Sequence, residues 1–128
     1  MAGNQTLQVA DFQPIPLNIC VTRGDSPIIP FKLTNADGSN ADVSDATFTL
    51  TVGNTEDPSD NTGQQFQVVG ALVGGGTTGE YTFQPTTSNN NLDPNLEWFH
   101  DIVMVSATYG TRTLFKGQYQ VSQDINKD

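Results

Sequence analysis

The side chains that could do chemistry are few and lie far apart along the chain. His100 is the only histidine and Cys20 the only cysteine. Nucleophilic catalysis needs a serine or cysteine beside a base, and a structural zinc site needs several Cys and His ligands. Because no second histidine or neighbouring cysteine accompanies His100, the sequence predicts a packed or hydrogen-bonded imidazole rather than a catalytic or metal-binding one. We therefore expect no enzymatic activity.

Acidic side chains gather in two segments that could supply oxygen ligands. Calcium takes roughly six to eight such oxygens, many of them from loops. Neither segment has the spacing of a calcium-binding loop, so we interpret both as solvated loop acids and expect no metal and no cofactor. Paired carboxylates for glycoside hydrolysis stay an open alternative. The two groups are Asp37, Asp42 and Asp45, and Glu56, Asp57 and Asp60.

A tripeptide that integrins recognise, Arg23-Gly24-Asp25, lies at a predicted turn. Glycine is also what a tight turn itself requires, since it adopts positive φ without strain. The sequence therefore favours a structural role over receptor binding. Cys20 alternates with apolar neighbours, which predicts a small, half-buried strand residue rather than a nucleophile.

Length, composition and charge exclude several classes of partner. The chain has 128 residues, of which 35% are hydrophobic and 15% charged; this length predicts one domain, and the polar, uncharged composition favours strands and loops. The net charge of −9 would repel phosphate groups, so we expect no nucleic acid partner. No apolar run is long enough for a bilayer, and residues 1–6 lack a secretion signal, so we expect no membrane association. An acidic face for a basic partner stays an alternative to acidic loops that maintain solubility.

Apolar residues that recur at every second position predict strands separated by Gly-, Asn- and Pro-rich loops. The fourth strand changes parity, which predicts a bulge. The sixth is apolar at both parities, which predicts a central strand covered on both faces in its middle. The predicted strands are 15–22, 28–34, 47–52, 64–73, 80–84, 96–107 and 111–121. We expect an all-β fold: a single immunoglobulin-like antiparallel β-sandwich of about seven strands at 15–125. An extended N-terminal arm at 1–14 and a tail at 126–128 would flank it.

Several segments resemble the β-sandwich domain of tailed-phage structural proteins, for which the N-terminal domain of the baseplate upper protein is the named example. The resemblance spans about residues 15–125 and is carried by Val21-Thr22-Arg23-Gly24-Asp25-Ser26, Ile29-Pro30-Phe31-Lys32-Leu33-Thr34, Asp37-Gly38, Asp42-Val43-Ser44-Asp45-Ala46-Thr47-Phe48-Thr49-Leu50, Trp98-Phe99-His100-Asp101-Ile102 and Leu114-Phe115-Lys116-Gly117-Gln118-Tyr119-Gln120-Val121. It implies a non-enzymatic virion component, assembled in the host cytoplasm, that docks on other virion proteins. In that family an extension follows the sandwich, whereas this sequence stops at Asp128, so capsid decoration or cement and tail or baseplate both stay open.

The expected contacts with virion proteins lie on the arm and on two loops. We predict partner-binding roles for Leu7, Val9 and Phe12 on the arm, and for Glu56 and Asn90 on the loops. A homo-oligomer also stays open. The alternative function is a carbohydrate- or receptor-binding module, whose platform would use exposed aromatic side chains. The candidates for that platform are Trp98, Tyr81, Phe83, Tyr109 and Tyr119.

Overall fold

Strands account for nearly all of the regular structure. The structure is a computed structural model that describes residues 5–8, 14–55 and 63–123, with only the backbone of 5–8 described. Within these ranges one short 3-10 turn, Gly74–Gly76, accompanies the strands. In chain order the strands are β1 (Gln5–Gln8), β2 (Ile15–Pro16), β3 (Ile19–Thr22), β4 (Ile29–Thr34), β5 (Thr47–Gly53), β6 (Gln64–Val69), β7 (Ala71–Leu72), β8 (Glu80–Phe83), β9 (Phe99–Ser106) and β10 (Gly110–Ser122). The predicted all-β fold is confirmed.

The strands form two sheets, which we call the small sheet and the large sheet. The small sheet has four strands in the order β1-β4-β8-β7. The large sheet has six, in the order β2-β10-β9-β5-β6 with β3 also beside β10. β1 is parallel to β4, and β2 and β3 are parallel to β10, whereas the remaining pairings are antiparallel. The β-sandwich is confirmed, and its immunoglobulin-like character stays an interpretation.

The core forms because alternating side chains from both sheets point toward each other. Ile29, Phe31 and Leu33 of β4 are at most 4% exposed, as their two-residue spacing predicts. The ring of Phe48 on the large sheet stacks on Tyr81 of the small sheet, with centroids 3.7 Å apart and planes 6° apart. Offset or tilted contacts between further aromatic rings continue this layer. The two faces are thereby joined by large apolar side chains.

The predicted fourth strand, 64–73, is wrong in one respect: it is not one bulged strand. β6 belongs to the large sheet and β7 to the small sheet, with Gly70 between them. The Gly70 N–H donates to the Phe48 carbonyl at 2.8 Å. A Cβ at Gly70 would lie 3.1 Å from the Phe83 ring and 3.2 Å from the Phe48 side chain. The parity change therefore marks a crossing between the sheets, at a point where little room exists for a side chain.

Two burial predictions are also wrong. The sequence predicts cover on both faces in the middle of the sixth strand, but β9 buries only one face: Ile102 and Met104 are 0% exposed, whereas Val103 on the other face is half-buried and Val105 is 53% exposed. No third layer of the described structure packs on its outer face. Cys20 was expected to be half-buried, but it is exposed. Its Sγ donates to Gln120 Oε1 at 3.1 Å on the adjacent strand.

The N-terminal segment contributes an edge strand. Residues 5–8 pair in parallel with β4, and Leu7 lies opposite Leu33 in the register. Part of the predicted arm thus lies along the small sheet of its own chain. The buried apolar residues whose side chains the structure describes lie between positions 19 and 119.

Candidate partner-binding surfaces

A buried amide connects the turn at 22–26 to the rest of the sandwich. Asn90 is 0% exposed; its Nδ2 donates to the Asp25 carbonyl at 2.6 Å, and its Oδ1 accepts a hydrogen bond from the hydroxyl of Tyr119. The Gly24 N–H donates to the Asn90 carbonyl at 3.0 Å, and Gly24 has φ of +83°. Burial raises the pKa of Tyr119, so this hydroxyl stays a donor. The turn is held from inside the fold, as a structural role for Gly24 requires.

The remaining groups of the turn are also engaged. Arg23 Nε donates to Asn91 Oδ1 at 2.9 Å, and the Asp25 N–H closes the turn on Thr22 at 3.0 Å. The Arg23 side chain is therefore half-buried and held against the 86–95 loop, while Asp25 is exposed. This arrangement favours the structural interpretation of the tripeptide.

His100 holds the edge segment between β2 and β3. Its Nε2 lies 2.7 Å from the Leu17 carbonyl oxygen, and its buried Nδ1 has no hydrogen-bond partner. Burial lowers the pKa of His100, and the bond to Leu17 opposes this shift. A neutral imidazole that donates from Nε2 fits this environment. The prediction of a packed, hydrogen-bonded His100 agrees with this geometry.

The acidic residues of the 37–45 segment stabilise turns. Asp45 accepts hydrogen bonds from Ser106 Oγ at 2.9 Å and from the Thr108 hydroxyl at 2.8 Å, which lowers the pKa of Asp45. Asp37 and Asp42 bond the backbone N–H groups two residues ahead. Across the described ranges, no cluster of three or more His, Cys, Asp or Glu side chains is arranged to hold a metal ion. The carboxylates of Asp37, Asp42 and Asp45 therefore stabilise their loops by hydrogen bonding.

The outward side of the large sheet, which we call the open face, is broad and carries little charge. Three valines lie on it: Val69 is 68% exposed, Val105 is 53% exposed, and Val103 is half-buried. Asp101 and Lys116 lie directly opposite each other in the β9–β10 register. Burial raises the pKa of Asp101, and the charge of Lys116 counteracts this. The polar remainder of the face is uncharged and consists mainly of Thr47, Thr49, Thr51, Gln67, Thr111 and Thr113.

Charge is concentrated elsewhere on the molecule. In the part of the chain that the structure describes, every exposed carboxylate lies in a loop, namely Asp25, Asp37, Asp42, Asp45, Asp93 and Glu97. Interface centres are depleted in charged side chains because desolvating charges is costly. The open face is thus a large surface that a protein partner could cover while desolvating few charges.

A small cleft lies at the end of β10, beside the 93–98 loop. Its volume is about 140 Å³, and Leu96, at 57% exposure, forms part of its wall. Trp98 lines it but is only 8% exposed, and its indole Nε1 donates to the Asp93 carbonyl at 3.0 Å. The other lining residues are Pro94, Glu97, Gln118, Tyr119, Gln120 and Val121. A cleft of this size accepts one side chain or one ring.

The aromatic platform predicted for sugar binding does not form on the surface. Tyr81 and Tyr119 are 0% exposed and Phe83 is 1% exposed, because all three rings fill the core. Tyr109 is half-buried and bonds Asn35 through its hydroxyl at 3.3 Å. Together with the burial of Trp98, this leaves no stacking surface on these residues.

The predicted partner-binding residues are not brought together. Asn90 is buried and bonds its own chain, as described above. Leu7 lies in β1, whose backbone alone is described, while Val9, Phe12 and Glu56 lie outside the described residues. The sequence analysis does not predict the open face; the signal for it is the second apolar parity of the 96–107 run, which fits an exposed apolar face as well as a buried one.

The described residues include no helix with the length and apolarity to cross a bilayer. No protein-family model matches the chain, and no curated protein matches it. Among solved structures, the fold is similar to the N-terminal domain of phage TP901-1 ORF48, with a TM-score of 0.53 and 9% sequence identity. The similarity covers 91% of this chain and 94% of that chain. The resemblance to a phage structural β-sandwich that the sequence indicated is thus confirmed at the level of the fold.

Proposed function

We propose that this protein is a non-enzymatic structural component of a tailed-phage particle, a β-sandwich module that docks on other virion proteins. The observation that carries the proposal is the similarity to a phage protein domain over nearly the full length of both chains. At this level of identity the similarity is one of fold. The sequence resemblance to phage baseplate sandwiches points independently to the same class of protein. Both capsid and tail locations are compatible with it.

The docking surface in this proposal is the open face. Val69, Val103 and Val105 form an apolar stripe that is exposed at Val69 and Val105 and half-buried at Val103. Among the described residues of this face, the charged pair beside them is Asp101 and Lys116, which lie opposite each other on neighbouring strands. A partner that covers this stripe gains apolar burial at ~25 cal/mol per Å² and desolvates no unpaired charge on this side. Contacts repeated by the symmetry of a particle then add by avidity.

The test compares two substitutions of equally exposed apolar residues. Val105→Asp introduces a charge on the open face, near the end of β9, whereas Ile28→Asp introduces one just before β4, on the other side of the sandwich. The two side chains are 53% and 59% exposed. Neither contributes to the core, so both variants should fold. The assay measures loading of purified protein on particles that lack it, by co-sedimentation. Val105→Asp should load at least about tenfold more weakly than the wild type, and Ile28→Asp normally.

The outcomes separate the surface from the function. Equal loading of Val105→Asp and Ile28→Asp would contradict the open face as the docking surface. Failure of the wild-type protein to load on particles from its own phage would contradict the proposed function itself. In that case the carbohydrate- or receptor-binding alternative would gain support, and the cleft at Leu96 is the place to test it. Leu96→Asp is the suitable variant there, since Trp98 is buried and its loss would disturb folding.

A further inference from the structure

The outer edge of the large sheet is formed by β6 (Gln64–Val69). Within the described chain β6 pairs only with β5, so one side of its backbone is unpaired. Proteins usually protect such edges with charged residues, proline or bulges, because unpaired N–H and C=O groups are a template for another strand. The sequence Gln64-Gln65-Phe66-Gln67-Val68-Val69 contains neither charge nor proline. Its only irregularity is a register shift opposite Val52 and Gly53, at its N-terminal end.

The register shows which backbone groups point outward. In an antiparallel pair, residues directly opposite each other alternate between pairs that exchange hydrogen bonds and pairs that do not. The bond from the Gly70 N–H to the Phe48 carbonyl, at 2.8 Å, identifies one bonded position. Counting back along the β5–β6 register, Val68 and Phe66 bond β5. The N–H and C=O groups of Gln67 and Val69 therefore point away from the sheet.

We infer that β6 pairs antiparallel with β6 of a second copy of this chain, about a twofold axis at Gln67. In this register Gln67 faces its own counterpart, Phe66 faces Val68, and Val69 faces Gln65. Directly opposite residues lie on the same side of a sheet. Phe66 and Val68, which are half-buried and point toward the core, thus meet each other, as do the exposed Gln67 side chains. The outward backbone groups of Gln67 and Val69 are the ones that this pairing uses.

The self-complementary pattern selects a second copy over an unrelated strand. A slip of one residue would place Phe66 opposite Gln67 and mix the two sides of the sheet. Val69 is the most exposed large apolar side chain described, and a second copy would cover part of it. Pairing of this kind joins the large sheets of both copies into one continuous sheet and uses up the free β6 edge of each.

Charge does not oppose this arrangement despite the net charge of −9. β6 carries no charge, so no like charges face each other along the pair. The acidic segment at 56–60 precedes β6 in the sequence, and antiparallel pairing places the two N-terminal ends of β6 at opposite ends of the ribbon. One pair of short strands buries less surface than a standard interface of about 1,600 Å². The dimer should therefore be weak in solution and favoured at high local concentration.

The experiment measures self-association of the isolated, full-length protein by sedimentation velocity from about 10 µM to about 1 mM. We expect a monomer–dimer equilibrium without larger species. Gln67→Pro removes an outward N–H that β5 does not use, and Gln67→Lys places like charges across the axis. Both should weaken the dimer at least about tenfold without a loss of β-structure. Thr111→Lys adds the same charge on the open face, away from this edge, and should dimerise as the wild type does.

A cross-link supplies a second measurement. In a Cys20→Ser background, Gln67→Cys should form an intermolecular disulfide on mild oxidation, because opposite residues of a bonded pair have Cα atoms about 5.5 Å apart. Thr111→Cys in the same background should not. A protein that stays monomeric over the whole range, unchanged dimerisation of Gln67→Pro, or open-ended oligomers would each overturn the inference. None of these results depends on particle loading, so this inference and the proposed function fail separately.

Discussion

Replacement of Asn90 by alanine tests the interpretation of this residue as an internal support rather than a surface contact. Asn90 and Tyr119 are both 0% exposed, and the substitution leaves the Tyr119 hydroxyl and the Asp25 carbonyl without their partner. An unsatisfied buried polar group costs about 1–3 kcal/mol. Asp25 is exposed, so its carbonyl can bond water instead, and the buried Tyr119 hydroxyl dominates a predicted loss of about 2–3 kcal/mol. The free energy of unfolding of a single domain is about 5–15 kcal/mol. For a chain of this size, each kcal/mol lost lowers the thermal unfolding midpoint by ~4 °C. We expect the unfolding midpoint to fall by about 10 °C.

Urea unfolding followed by the fluorescence of the buried Trp98 measures this loss. The matched control is Asn91→Ala, the same substitution at the next residue, where an exposed side chain accepts one hydrogen bond from Arg23. That variant should lose less than about 1 kcal/mol. A loss for Asn90→Ala no larger than for Asn91→Ala would refute the reasoning.

Combining the substitution with Tyr119→Phe separates the hydrogen bond from general effects. Each single variant leaves a buried partner unsatisfied, whereas the double variant removes both sides of the Asn90–Tyr119 bond. The losses should therefore be non-additive, with a coupling energy of about 1 kcal/mol or more. Strictly additive losses would show that the two side chains do not interact, in contradiction to the structure.

Three further predictions concern the edges of the sandwich. Burial lowers the pKa of His100 below 6.5, so the unfolded state binds more protons and stability is lost as the pH falls through and below that value. His100→Gln, which keeps a donor for Leu17, should therefore lose less stability than the wild type between about pH 7 and about pH 5 in urea unfolding, and parallel losses would contradict this. Gly117→Ala would place a Cβ against the Leu17 carbonyl oxygen and should destabilise the protein by about 2 kcal/mol or more. The control Gly110→Ala has open space around it and should cost only the ~1–2 kcal/mol of its positive φ. Equal unfolding midpoints of the two variants would contradict tight packing at Gly117. If the arm is a second contact beside the open face, deletion of residues 1–14 should weaken particle loading while the sandwich stays folded by circular dichroism, and normal loading of the truncated protein would rule out the arm as a contact.

The strands and turns with strong local signals could be predicted from the sequence. Ile29, Phe31 and Leu33 are buried because a two-residue alternation leaves a strand only one apolar face. Gly24 adopts positive φ where the turn was expected. These features depend on neighbouring residues, so a local pattern is sufficient to specify them.

The errors arise where the outcome depends on distant parts of the chain. A parity change fits either a bulge or a crossing between sheets, and the crossing at Gly70 is determined by the packing of Phe48 and Phe83 around it. The apolar residues of β9 predicted cover on both faces, but no local pattern indicates whether a further layer exists. The apolar side chain of Val105 therefore predicts a buried residue, although Val105 is exposed on the open face.

The candidate site was the least predictable part for the same reason. Asn90 belongs to a polar loop and was predicted to be a contact, yet its partners, Asp25 and Tyr119, are 65 and 29 residues away in sequence. Only the folded chain brings them together. The open face likewise requires the order of strands in the large sheet, which alternation alone does not give.

The most direct test of the central claim is to identify a phage whose genome encodes this chain and to analyse its purified, nuclease-treated particles by quantitative mass spectrometry. If the protein is a structural component, it should co-purify with intact particles at a copy number comparable to that of other virion proteins. Recovery only in the particle-free supernatant of the lysate would contradict the account.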